Sequence, residues 1–182
     1  LEPESVPFDI FALLMEVDHL TEMQAPAYGV TIHMKNPPFP VRRVIGSPTF
    51  LRRVLLNLTS NALKYNRRGG RIDLSCDKIE IKGEKACFTL SCADTGIGMS
   101  PSFQSRAFEP FTQESDTART HYMGTGLGLS IVKEFVSKMG GTITLSSQKG
   151  VGTRFTFTID HASQEAETAS QSPVSLSGLH VL

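Results

Sequence analysis

Asn57, Asn61 and Lys64 stand at i, i+4 and i+7 in NLTSNALKY (57–65), a spacing that aligns them along one side of a helix. An amide oxygen is a good ligand for a hard cation, and an ammonium one turn further on suits phosphate. Asparagine is a poor helix former, so propensity does not account for two of them there. ADTGIGM (93–99) places Asp94 just past an apolar strand, where a carboxylate accepts hydrogen bonds from an amino group. Gly96 and Gly98 would let backbone approach a flat ligand closely. MGTGLGLSIVKEFVSKMGG (123–141) puts Gly124, Gly126 and Gly128 at the mouth of a helix. Free backbone N–H groups and the helix dipole favour an anion at such a place. AFEPF (107–111) sets Phe108 and Phe111 three residues apart. Each motif alone also admits a plainer reading: a solvated helix face, an ordinary Asp-x-Gly turn, a core phenylalanine pair, a flexible connector. The glycine run lacks the GK[ST] ending of a Walker A loop. It does not follow a strand of a βαβ unit, so the dinucleotide fingerprint fits poorly.

The elements that must position these residues are legible from periodicity. Residues 8–25 carry Phe8, Phe11, Leu14, Val17 and Leu20 near helical spacing, ended by Gly29. Val30, Ile32 and Met34 alternate as a strand, which NPPFP (36–40) stops. Ser47-Pro48 reads as N-cap and first residue of a helix to about Tyr65. Leu51, Val54, Leu55, Leu58 and Ala62 form its buried face, about 100° around the axis from the polar stripe. Ile72, Leu74 and Cys76 alternate, as do Ala86, Phe88, Leu90 and Cys92, with KGEK (82–85) as their hairpin turn. A short helix over 101–107 and a polar loop over 112–123 come next. A helix over 125–139 stops at Gly140-Gly141. Ile143 and Leu145, a KGVG turn, and Phe155, Phe157 and Ile159 make the last two strands. This order predicts an α+β fold, a two-layer α/β sandwich in which helices cover one face of a mixed, mostly antiparallel sheet.

A chain of 182 residues is long enough for one well-cored domain. The formal net charge of +0 gives no footprint for a nucleic-acid or anionic-membrane binder. No run approaches the roughly 18 apolar residues of a membrane helix, and the acidic, proline-punctuated start LEPESVPFDI does not read as a secretory leader. A cytoplasmic setting is expected. Cys76, Cys87 and Cys92 form no CxxC pair, so packed thiols are expected rather than zinc or disulfides. Residues 161–182 are small, polar and unpatterned, which reads as a disordered linker or tail.

Taken together, NLxxNAxKY, DTGIGM, FxPF, GTGLGLSIV and GTRFTF closely resemble the N, G1, F, G2 and G3 boxes of the sensor histidine kinases. These boxes belong to the ATP-binding domain of the gyrase–Hsp90–histidine kinase–MutL superfamily, the Bergerat fold. The resemblance runs from about Phe8 to Ile159, and FEPFTQ with a downstream TART looks most like the hybrid branch. It implies a connector over 1–7, an ATP-binding catalytic domain over 8–160, and ATP with Mg²⁺ as the bound pair. By the same resemblance Asn61 binds the Mg²⁺ with Asn57 beside it, Lys64 reaches phosphate and Tyr65 packs near adenine. Asp94 accepts from the adenine amine, Gly96 and Gly98 shape that pocket, and Thr153 helps close it. Phe108 and Phe111 anchor a lid over 112–123, in which Arg119 is a phosphate contact. The GTGLGL box (Gly124, Thr125, Gly126, Leu127, Gly128, Leu129) presents backbone amides to the phosphates.

The implied activity is positioning of Mg-ATP for γ-phosphoryl transfer to a histidine on a separate dimerisation and phosphoacceptor domain. A response regulator receiver domain would be an indirect partner, with no nucleic acid and no direct membrane contact. None of His19, His33, His121, His161 and His180 is followed by the His-Glu-x-x-x-Pro-type acceptor motif of such domains. The chain departs from the family pattern at Ser47, Phe50 and Arg53, where relatives often carry Asp, Arg and Gln; Ser47 can still cap the helix. An ATP-driven conformational switch of the same superfamily is the alternative, against which GTGLGLSIV and FEPF argue.

Overall fold

Asp9 starts the first helix: its carboxylate accepts the Ala12 N–H at 2.8 Å while its own backbone is extended. The computed structural model describes residues 1–113 and 128–163. Helix α1 (Ile10–Tyr28) buries Ile10, Leu13, Leu14 and Val17 and ends at Gly29, whose φ of 67° is the left-handed cap that glycine adopts without strain. Phe8 therefore lies outside the helix expected from residue 8. It sits in strand β1 (Val6–Asp9), which pairs antiparallel with β3 (Arg43–Gly46). Neither strand is readable from the sequence. Four residues give too little alternation, and Pro7 is tolerated only because β1 is the sheet edge.

Strand β2 (Thr31–Lys35) follows α1, and helix α2 (Pro48–Lys64) follows β3. Ser47 caps α2 as expected, its Oγ accepting the Phe50 N–H at 3.3 Å with Pro48 in the first turn. The antiparallel pair β4 (Arg71–Lys82) and β5 (Lys85–Asp94) is longer than the alternating cores predicted for it. A register shift at Asp77 interrupts the alternation and hides the second half of β4 from a period-two reading. Helix α3 is a single turn (Pro101–Gln104), shorter than the predicted 101–107. Helix α4 is described over Gly128–Lys138, followed by β6 (Ile143–Gln148) and β7 (Gly152–Ser163). Strand β7 carries through to Ser163, whose N–H meets the Glu84 carbonyl at 2.8 Å, so the sheet reaches three residues into the segment read as tail.

The seven strands run β1-β3-β7-β5-β4-β2, with β6 on the same edge of β7 as β3. Every pair is antiparallel except β2 with β4. Thr153, Phe155, Phe157, Ile159, His161 and Ser163 are buried in strict alternation along β7, which gives the sheet one face for the helices. Helix α2 packs against α1, α4, β4 and β5. Phe50 of α2 and Phe135 of α4 stack with centroids 4.0 Å apart and planes within 7°. The opposite face is polar: Arg154 reaches Asp77 and Ser91 at 2.9 and 2.8 Å.

Candidate nucleotide site

The buried side of α2 consists of Phe50, Leu51, Val54, Leu55, Leu58, Thr59, Ala62 and Leu63. With that face in the core, Asn57, Asn61 and Lys64 fall on its flank and are half-buried. Helix α4 begins beside them: a Cβ on Gly128 would stand 3.7 Å from the Asn57 Oδ1. The N-terminal end of one helix and the amide stripe of another thus meet at one place. Leu129, the next residue, packs against the core. Arg119, Gly124, Thr125, Gly126 and Leu127 lie outside the described residues, as does most of the loop over 112–123.

Asp94 is the last residue of β5 and sits opposite Thr153 of β7. Its Oδ1 accepts the Gly96 N–H at 2.8 Å. The next amide, of Ile97, donates at 3.0 Å to the carbonyl of Tyr65, the residue that caps α2. The Asp94 turn is therefore stitched directly to the end of the helix carrying the stripe. The structure also changes the reason for the glycines. A side chain on Gly96 would collide with the Tyr65 carbonyl, one on Gly98 with the Gln148 carbonyl, and one on Gly152 with the Asp94 carbonyl. Gly98 also has a φ of +67°. The close approach that these residues permit is that of the protein's own backbone.

Thr153 is buried, with its Oγ1 2.8 Å from Ser147 Oγ. Ser147 Oγ also accepts the Met99 N–H at 2.8 Å, and Gln104 donates to the carbonyls of Met99 (3.1 Å) and Ser147 (2.9 Å). This network ties the residues after Gly98 to β6. Sequence reasoning missed both Ser147 and Gln104. The signal for Ser147 was present, since it shares the inward parity of Ile143 and Leu145 and is polar. Gln104 leaves no such mark.

Phe108 meets Phe155 edge-to-face at 6.1 Å, with the Lys133 ammonium 5.9 Å from its ring. Phe108 is thus packed against the core, whereas Phe111 is 76% exposed, at a φ of 58°. The left-handed turn after Pro110 takes its ring away from the core that a helical i, i+3 spacing would have reached.

Burial pushes the Cys92 thiol up, with the Asp94 and Asp73 charges adding to it. Burial likewise pushes Cys76 up to about 12. These thiols stay protonated and inert. Among the described residues no group of three or more His, Cys, Asp or Glu side chains could hold a metal. The donors at the α2 stripe are amide oxygens. That set is too poor for a protein-only cage, but it fits a magnesium ion that arrives with phosphate oxygens of its own.

Residues 46–163 match the family described as "Histidine kinase-, DNA gyrase B-, and HSP90-like ATPase". The chain is 35% identical over 180 residues to the sensor histidine kinase AruS of Pseudomonas aeruginosa, covering 99% of this chain and 18% of that protein. It is 37% identical over 161 residues to the hybrid signal transduction histidine kinase A of Dictyostelium discoideum, covering 85% of this chain and 7% of the other. The chain thus spans less than a fifth of either relative. Among solved structures, full-length ShkA in complex with AMPPNP superposes with a TM-score of 0.74 at 31% identity, over 90% of this chain and 32% of that one.

Proposed function

The chain belongs to the histidine kinase-, DNA gyrase B- and HSP90-like ATPase family, and from that premise we propose that it holds Mg-ATP for γ-phosphoryl transfer to a histidine of a separate dimerisation and phosphoacceptor domain. One observation carries the reading. The Asp94 turn is bonded to the C-terminal cap of α2, and the start of α4 meets the same helix at Asn57. A rigid helix thus separates a base-recognising carboxylate from an anion-favouring helix end, as an adenine and its phosphates require.

In this reading Asp94 accepts from the adenine amine, and Tyr65, Gly96, Gly98, Phe108 and Thr153 form the wall around the base. Asn57, Asn61 and Lys64 face the phosphates together with the amides of the Gly124–Leu129 box and Arg119. Magnesium bound with ATP would supply charge neutralisation, and the amide of Asn61 would hold it from this chain. The bond from the γ-phosphorus to the bridging oxygen breaks, a bond to an imidazole nitrogen forms, and ADP leaves. The transition state is loose, so the protein contributes position and electrostatics rather than covalent chemistry. The acceptor histidine belongs to the partner domain, and a receiver domain takes the phosphoryl group afterwards. The isolated chain is therefore expected to bind nucleotide without labelling its own histidines.

Calorimetric titration with ATP and ADP, with and without magnesium, tests this. Saturable binding of both nucleotides, tighter with magnesium, is expected. No binding at millimolar concentration would sink the proposal.

A further inference from the structure

The turn leaving α2 reads NRRGG (66–70), and its two arginines point to different places. Arg68 packs beneath Gly29, where a Cβ would lie 3.2 Å from its side chain. Arg67 reaches the Asp94 turn instead. Its Nε donates to the Thr95 carbonyl at 2.7 Å, and its Nη2 lies 2.9 Å from the Gly150 carbonyl and 3.3 Å from that of Gly96. Asn66 braces the same corner. Its Oδ1 accepts the Arg67 N–H at 2.9 Å, and its Nδ2 donates to the Arg71 carbonyl at 3.2 Å.

These acceptors belong to two glycine-rich turns, 94–98 and 148–152, that are distant in sequence and pressed together. The Gly150 N–H meets the Ile97 carbonyl at 2.7 Å. Glycine turns have the most conformational freedom to lose, and here several carbonyls converge on one side of the junction. A planar guanidinium can bond two separate carbonyls from two nitrogens at once, while an ammonium is a single point charge.

We propose that Arg67 is a positioning residue for base recognition: it clasps the two turns so that the Asp94 carboxylate is held in place for an exocyclic amine. This rests on the reading of Asp94 as the adenine contact. Arg67 touches neither base nor phosphate in this account. Its loss would lower discrimination at the base and leave the phosphate end unchanged.

The test compares wild type, R67Q and R67K for binding of Mg-ATP, Mg-ITP and magnesium tripolyphosphate; the second lacks the amine and the third lacks the base. Losing the two-nitrogen guanidinium contact to both turns is expected to weaken ATP binding by about tenfold in both variants. ITP and tripolyphosphate should stay within about twofold of wild type, so the ATP-over-ITP preference collapses. R67K should also lose amide-exchange protection at Gly96, whose N–H is bonded to Asp94. A wild-type protein that binds ATP and ITP equally would refute the Asp94 reading itself. A wild-type preference that R67K retains in full would overturn the role of Arg67. So would an equal loss of all three ligands, or an R67K protein that no longer folds, since either makes Arg67 a general structural residue. R67K is decisive if R67Q proves unstable.

Discussion

At the end proposed for the base, Gly96 and Ile97 are bonded to their surroundings through Arg67 and Tyr65, Asp94 accepts from Gly96, and the neighbouring Met99 is held through Ser147. At the end proposed for the phosphates, Asn57, Asn61 and Lys64 stand on α2, and among the described residues no side-chain hydrogen bond holds them. The proposed reading accounts for the difference by what each end would recognise. A flat base with one amine is distinguished only by a carboxylate already aimed at it, because a misplaced acceptor loses most of a hydrogen bond's strength. Phosphates and a metal bring strong charge, so flexible side chains can be organised by the ligand as it binds. In the proposed reading, recognition is preformed where the ligand is weak and adaptable where the ligand is strong.

The largest effect expected from a test of this contrast comes from the joint between the two helices. Removing the Phe135 ring from its stack on Phe50 should cost about 3 kcal/mol of stability, as for buried Phe→Ala changes elsewhere, measured by urea unfolding of F135A. In the proposed reading the change would also loosen α4, and hence the phosphate end. ATP affinity should fall while the ATP-over-ITP preference persists. A collapse of that preference in F135A would mean that the two ends are not separable.

Next come the two polar ends themselves. Asp94→Asn should weaken ATP binding by about 10- to 100-fold with or without magnesium, because a charge-assisted bond to the base is lost. Asn61→Ala should cost about tenfold with magnesium and little in EDTA, because in the proposed reading its amide acts through the metal. Parallel titrations in both buffers check the pair. Equal losses for the two variants in EDTA would erase the distinction.

The smallest effect concerns a third place, which serves as a control. His161 is buried near the far end of β7 from Thr153, edge-on to Phe8 at 5.7 Å, and its Nε2 has no hydrogen-bond partner among the described residues. Gly46 makes room for the ring: any Cβ there would crowd it. Burial lowers its pKa below the usual 6.5, partly opposed by Asp160. The unfolded chain then binds the proton more readily than the folded one. Its contribution to stability is present above about pH 6.5 and declines as the pH falls through that value towards the lower folded pKa. Urea midpoints between pH 8 and 5 should show this decline, and H161F should flatten it. Nucleotide preference should not follow the same titration.

Much of this molecule is written locally. The Ser47 cap, the Gly29 stop, the apolar face of α2 and the alternation of β7 each depend on residues two to four apart, and the sequence alone determined them through helical and strand periods. The order of its motif boxes likewise determined the family, with the stripe of Asn57, Asn61 and Lys64 already on one face. What the tertiary structure decided rests on contacts between distant residues. Strands β1 and β3 exist because each finds the other. Phe111 leaves the core because its backbone turns left-handed. Gly96, Gly98 and Gly152 must be glycine because other backbone lies against them. The Arg67 clasp joins carbonyls as far as 84 residues away. No period in the sequence encodes such pairings, because a hydrogen bond across the fold depends on where two turns come to rest, and only the packing of α2 against the sheet fixes that.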